Sequence, residues 1–253
     1  MHRRLQAILW DVDGTLAETE RNGHRPAFNA AFAELGLPWH WDPATYDALL
    51  RIAGGRERMA AWWEQTSAAP VDGALLDALV ASKKRHYGER LKGGAIPLRP
   101  GVARLLDEAA AAGLAQLIVT TSSRAAVEAL LQGSLAPHAH VFAGWICGDD
   151  VQRKKPDPEG YRLALSRLGL EAGRVLVVED SPQGLAAAVA AGLPTLVTVS
   201  EVTRADPLEW FAQARAVVDR LGTAADPLEV LRGPACPQGQ VTLSWLEHLL
   251  PSA

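Results

Sequence analysis

Apolar positions along the chain fall into two patterns. Short, nearly continuous runs occur at 6–11 (QAILWD), 116–121 (QLIVTT), 141–146 (VFAGWI), 174–179 (RVLVVE), 194–199 (PTLVTV) and 215–219 (RAVVD). Such runs suit parallel strands covered on both faces. Between them apolar residues recur with helical spacing. One helix is predicted from Pro100-Gly101 to about Gly113, and one from Ser123, with Val127, Leu130 and Leu131 on a face. Another runs from about Pro158 to Gly169, and a fourth has Ser181 as N-cap, Pro182 at the first position and Gly192 as its stop. Strand–helix alternation predicts an α/β fold with a doubly wound, mainly parallel, Rossmann-like sheet.

The first strand breaks the rhythm, because residues 21–92 contain no convincing strand. In 26–36, Phe28, Ala31, Phe32 and Leu35 share a helical face that ends at Gly36, and helical segments follow at 43–53, 55–66 and 74–91. The expected organisation is a core of 1–17 and 93–253 with a helical domain, 18–92, inserted after the first strand. The Pro/Gly-rich tail from 222 closes with TLSWLEHLL, where Ser244 and Glu247 match a capping box and predict a docked terminal helix.

Composition narrows the function classes. The chain has 253 residues, 48% hydrophobic and 21% charged, with net charge −4 and no basic stripe. These values fit a globular protein with a sizeable core and argue against nucleic-acid binding. No apolar run reaches the roughly 18 residues of a membrane span, and the N-terminal run meets Asp11 too early for a signal peptide. Cys147 and Cys236, far apart, make neither a disulfide framework nor a zinc site. The expectation is a cytoplasmic monomer acting on a small molecule, with no membrane or nucleic-acid partner.

The chemistry concentrates at strand ends, where open parallel sheets bind ligands. Asp11-Val12-Asp13-Gly14-Thr15, Thr121-Ser122-Ser123, Lys154-Lys155-Pro156 and Glu179-Asp180-Ser181 all lie at or just past a predicted strand. Each alone is a common turn or helix cap; together they occupy one place in one fold. Asp11, Asp13, Glu179 and Asp180 crowd four carboxylates into one crevice, which is untenable without counter-charge. Lys155 supplies one positive charge, and Mg²⁺ with a phosphate substrate is the natural source of the rest. Backbone N–H groups near Ser122 and the Thr121 hydroxyl would face a phosphoryl oxygen. Asp11 would then attack phosphorus to form an aspartyl-phosphate. Asp13 would protonate the leaving alcohol and later activate water.

These residues resemble the four motifs of the haloacid dehalogenase superfamily, and the likeness covers the chain to about residue 220. Within the superfamily the chain resembles the phosphoglycolate phosphatase and β-phosphoglucomutase branch, and the stretches that carry the finer likeness are DVDGTLAETE, GGRER (54–58), LRPGV (98–102) and RKKPDPEGYRLAL (153–165). Within that branch they are most similar to the Rubisco-associated xylulose-1,5-bisphosphate phosphatases, the CbbY type. The resemblance implies a helical cap over the core and an Mg²⁺ site of Asp11, the Asp13 carbonyl and Asp180, with Glu179 at or behind the metal. It implies Thr121, Ser122 and Lys155 on the transferring phosphoryl, and substrate contacts from Glu20, Tyr46 and Gly54, Gly55, Arg56, Glu57 and Arg58. Some members carry ETE, two residues and then His. Here Gly23 puts His24 one residue later, which leaves its role open and implies an altered hinge.

Other conspicuous residues get structural readings. Trp39-His40-Trp41 and Trp62-Trp63 are expected to pack the insert, and Lys83-Lys84-Arg85 to form a solvated helix face from which one cation could reach a distal phosphate. Arg124 is a further distal-phosphate candidate. Arg56 and Arg58 are the favoured pair for that second phosphate, making a sugar bisphosphate the expected substrate and removal of a Rubisco inhibitor the expected role. The alternatives are a phosphoglycolate or other sugar-phosphate phosphatase, a β-phosphoglucomutase-like mutase, disfavoured by the Gly-Thr-Leu-Ala-Glu run after Asp13, and a non-catalytic binding protein.

Overall fold

The computed structural model describes residues 4–50, 52, 55–67 and 69–251. The first strand, β1 (Ala7–Trp10), is wholly buried, and the helical insert follows it. A π-helical turn, Glu20–His24, leads into α1 (Arg25–Glu34), followed by α2 (Pro43–Leu49), α3 (Gly55–Thr66) and α4 (Gly73–Lys92). Asp42 starts α2 by accepting the Thr45 N–H at 2.8 Å, and Asp72 starts α4 by accepting those of Ala74 and Leu75. The insert has its own apolar cluster, including Phe28, Phe32, Trp41, Tyr46, Met59, Leu76 and Leu79. Trp41 packs against Phe28 and edge-on to Phe32.

The chain then returns to the sheet. Helix α5 (Val102–Ala111) and strand β2 (Ala115–Val119) are followed by α6 (Arg124–Gln132) and β3 (Gly144–Ile146). Next come α7 (Glu159–Leu168), β4 (Val175–Glu179), α8 (Pro182–Ala190), β5 (Thr195–Thr198) and β6 (Ala216–Val218). The tail adds β7 (Val230–Arg232) and α9 (Leu243–His248). The seven strands run in the order β3-β2-β1-β4-β5-β6-β7, all parallel except β7. The order reverses beside β1, so a crevice opens at the carboxyl ends of β1 and β4. Ile8 and Trp10 face one apolar layer with Leu105, Leu106 and Leu130. Ala7 and Leu9 face the other, with Tyr161, Ala164 and Ala187.

Several expectations shift. The 141–146 strand shrinks to Gly144–Ile146, because Ala136–Val141 winds into a tight helical turn. The tail holds an unforeseen strand, β7. The cap of α9 is Thr242, which accepts the Trp245 N–H at 3.2 Å, while Ser244 lies inside the helix. Starting the helix there points Leu243, Trp245 and Leu246 into the main core. No helix among the described residues is long and apolar enough to cross a membrane.

Candidate active site

Strand β1 delivers Asp11 to the crevice and β4 ends in Glu179, followed by Asp180. All three carboxylates are buried, at 7%, 0% and 6% exposure. The Lys155 ammonium sits between the strands and donates to Asp11 Oδ1 (2.7 Å), Glu179 Oε1 (2.5 Å) and the Val119 carbonyl (2.8 Å). Glu179 also accepts from Tyr161 Oη (3.0 Å), from the backbone N–H groups of Asp180 and Ser181, and from Ser181 Oγ. It is fixed from every side, and α8 starts close against it: a Cβ on Gly184 would overlap its carboxylate at 1.8 Å.

One lysine does not balance this charge. Burial pushes the Asp11 carboxyl up to about 8; Lys155 opposes the rise, and Glu179 and Asp13 add to it. Burial, then the charges of Glu179 and Asp11, likewise raise Asp180 well above the carboxylate range. Burial disfavours charge on Lys155, but Asp11 and Glu179 outweigh it and keep the ammonium charged. Oxygens of Asp11, Glu179 and Asp180 lie within 4.8 Å of one another. A buried, oxygen-only, electron-rich cluster is the donor set that a hard divalent cation prefers. The residues therefore fit magnesium, with Asp11 and Asp180 as the carboxylates with capacity to spare. Gly14 (φ +79) completes this wall, since a Cβ there would lie 2.2 Å from Asp180 Oδ2.

Asp13 points elsewhere. Its carboxylate accepts from Thr19 Oγ1 and Ser122 Oγ, and from Tyr87 Oη at 3.3 Å. His24 Nε2 lies 3.7 Å away. Burial alone would raise this carboxyl, but the His24 ring, Ser122 and Thr19 outweigh it and hold Asp13 well below its usual range. Glu20–His24 forms a π-helical turn, and the His24 ring lies on the site side, stacked on Tyr87 at 3.9 Å. Lys83 Nζ meets His24 Nδ1 at 2.7 Å. An ammonium only donates, so a neutral His24 carries its proton on Nε2, facing Asp13.

On the insert side, Tyr46 donates to Glu20, and Arg58 reaches both the Tyr46 hydroxyl (3.3 Å) and the Ile52 carbonyl (2.8 Å). Asp11, Asp13, Thr121 and Asp180 face Glu20 and Arg58 across a cavity of about 230 Å³. Other expected residues do not converge on it. Arg56 pairs with Asp77 on the exposed surface. Glu57 is exposed, and a Cβ on Gly55 would press on Phe28 at 3.0 Å. Arg124 bridges both oxygens of Asp150 and is half-exposed. Gly54 lies outside the described residues. The Ser122 N–H bonds the Thr120 hydroxyl at 3.1 Å rather than standing open for a phosphoryl oxygen. Lys83 corrects the solvated-face reading: it lies over the rings of Phe28 and Tyr87, and burial brings it down to about 8.

A family model described as haloacid dehalogenase-like hydrolase matches residues 5–192. The chain belongs to that family. Among its relatives is the plasmid-encoded CbbY protein of Cupriavidus necator, 46% identical over 88% of this chain and 89% of its own. The crystal structure of CbbY from Rhodobacter sphaeroides in complex with phosphate superposes with a TM-score of 0.74 at 40% identity, covering 85% of this chain and 94% of that one. A mutant of the same CbbY, solved in complex with xylulose-1,5-bisphosphate, matches with the same score and identity over 87% and 98%. Relative to its motif residues, this haloacid dehalogenase-like hydrolase holds further groups at the site that no strand-end pattern points to. Tyr161 anchors Glu179 from α7, Thr19 and Tyr87 hold Asp13, and Glu18 lines the cavity.

Proposed function

We propose that this enzyme, a phosphatase by family and by relatives, hydrolyses a sugar bisphosphate through an aspartyl-phosphate on Asp11, with xylulose 1,5-bisphosphate the favoured substrate. The observation that carries the reading is the two-sided cavity. Its floor offers a nucleophile, and its far wall offers a cation on a separate element, Arg58. The CbbY complex with xylulose-1,5-bisphosphate supports the choice of sugar.

Asp11 attacks phosphorus and the sugar alkoxide leaves, taking a proton from Asp13; water then attacks the aspartyl-phosphate as Asp13 takes the proton back. Lys155 holds Asp11 in line and carries compensating charge. Magnesium, held by Asp11, Asp180 and the Asp13 carbonyl with Glu179 behind, would supply the positive charge that lets Asp11 ionise and that the transferring phosphoryl needs. In the conformation described Asp13 is set as a base. To act as acid it must leave its four neighbours, three of which belong to the insert or its linker. We therefore take 18–92 as a cap whose movement over the core of 1–17 and 93–253 switches Asp13 between roles.

Arg58 is the discriminating test. Its change to Ala should lower kcat/KM for xylulose 1,5-bisphosphate roughly 10²-fold, in the range of a lost charge-assisted contact, and leave xylulose 1-phosphate, which keeps the phosphate to be transferred and lacks the distal one, within about threefold. Equal losses, or a wild type that prefers the monophosphate, would sink the bisphosphate reading. One observation favours a smaller substrate of the phosphoglycolate kind: Arg56 is turned outward to Asp77, leaving a single arginine on the cavity wall.

A further inference from the structure

Arg99 sits where the chain re-enters the core from the insert, and it is 6% exposed. Its guanidinium has five N–H donors, and five acceptors meet them. Nε pairs with Glu18 at 2.9 Å. One terminal nitrogen donates to the carbonyls of Gly14 and Thr198, the latter at 2.8 Å. The other donates to the carbonyls of Val199 (2.5 Å) and Asp219 (3.0 Å). Its own backbone N–H reaches the Leu16 carbonyl at 3.0 Å. The fork thus joins the outgoing linker (Gly14, Leu16, Glu18), the end of β5 and the end of β6. The two linkers also touch directly, through a bridge between Ala17 and Leu98.

These acceptors flank the reacting groups. Gly14 follows Asp13 and rests against Asp180, and Gly14 and Glu18 both line the catalytic cavity. A moving insert would pull on this turn first. Lysine, a compact point charge, cannot reproduce a planar five-donor fork.

We propose that Arg99 is a positioning residue: it pins the turn behind Asp13 and the root of the insert to the ends of β5 and β6, so that Asp13, Asp180 and Glu18 keep their spacing while the insert moves. The proposal rests on the reading of Asp11 and Asp13 as the reacting pair.

The test compares wild type with Arg99→Lys on p-nitrophenyl phosphate. Displacing reacting groups by about 1 Å can cost roughly 10²-fold. The expected result is therefore a kcat lower by that factor, KM within about threefold, and a cooperative melt above the assay temperature. A folded variant whose kcat stays within about threefold of wild type, or which changes KM alone, overturns the proposal. Hydrogen exchange on wild type supplies an arm that needs no variant. With and without inorganic phosphate, amides 14–17 should exchange equally slowly while those of 20–34 respond to phosphate. Fast exchange at 14–17, or protection there only with phosphate, overturns it as well. Failure of the phosphatase reading would instead appear as an inactive wild type.

Discussion

At the residue scale, the site is a buried cluster with too much negative charge, and Asp11 carries the consequence. Its pKa in the fold, about 8, lies far above its ordinary 3.8, mainly through burial. Native protein therefore binds a proton that unfolded protein releases, and without metal stability should fall as pH rises from about 4 through 8. Asp11→Asn removes that dependence. In chelator, its stability should match wild type near pH 4 and exceed it at pH 9 by an amount on the order of a few kcal/mol at most, read as a higher melting temperature. Turnover should drop at least roughly 10³-fold. A variant that stays active, or that melts in parallel with wild type across this range, contradicts the assignment. Asp11, Asp13, Glu179 and Asp180 were legible because short apolar runs end in or just before them, and Lys155 because four carboxylates in one crevice call for a cation. Lys83 was not: in a run of three cations it reads as solvated. Yet it lies four residues after Leu79 and four before Tyr87, both buried, so helical periodicity turns it inward with them.

At the scale of elements, the π-helical turn before α1 decides where His24 points. Gly23 makes the turn possible, since a Cβ there would lie 2.5 Å from Ile96 Cδ1 and 2.8 Å from Tyr87 Cε2. Gly23→Ala should cost about 1–3 kcal/mol by overpacking, read by urea denaturation, and should displace the Tyr87 ring that carries both His24 and Asp13. A variant as stable as wild type would mean that the turn rearranges freely. From sequence the extra residue was visible but the wider helical turn was not, because such a turn has no signature of its own. Strand β7 escaped for a related reason. Three residues between Pro/Gly-rich segments carry too little periodicity, and only pairing with β6 makes them a strand.

At the scale of the molecule, the family match ends at residue 192, but the apolar core does not. Val241, Leu243, Trp245, Leu246 and Leu249 belong to the same cluster as Trp10 and Leu106. The Leu243 N–H bonds Glu108, and Trp245 Nε1 donates to the Ala235 carbonyl. Trp245→Ala should cost about 3–5 kcal/mol. Truncation after 221 should yield a chain without a cooperative melt; a truncated chain that melts sharply near the wild-type temperature would show that the tail is an accessory. Strand–helix alternation foretold the parallel sheet, and the strand-free stretch foretold the run of helices between β1 and β2. The outward turn of Arg56 depends on Asp77, a full helix away, which no local pattern reveals.

The Lys155 ammonium has three hydrogens, and all three are already engaged. A phosphoryl group arriving on Asp11 adds no bond to the lysine; it can only exchange for one, most readily the bond to Asp11 once that carboxylate has become an acyl phosphate. Free phosphate leaves Asp11 as a carboxylate still competing for the same hydrogen, so the two anions are rivals. The product should accordingly be a poor inhibitor, in the millimolar range, and Lys155→Arg, with two more donors, should trap phosphate more tightly while turning over more slowly. Product inhibition curves for the two proteins would read that trade directly.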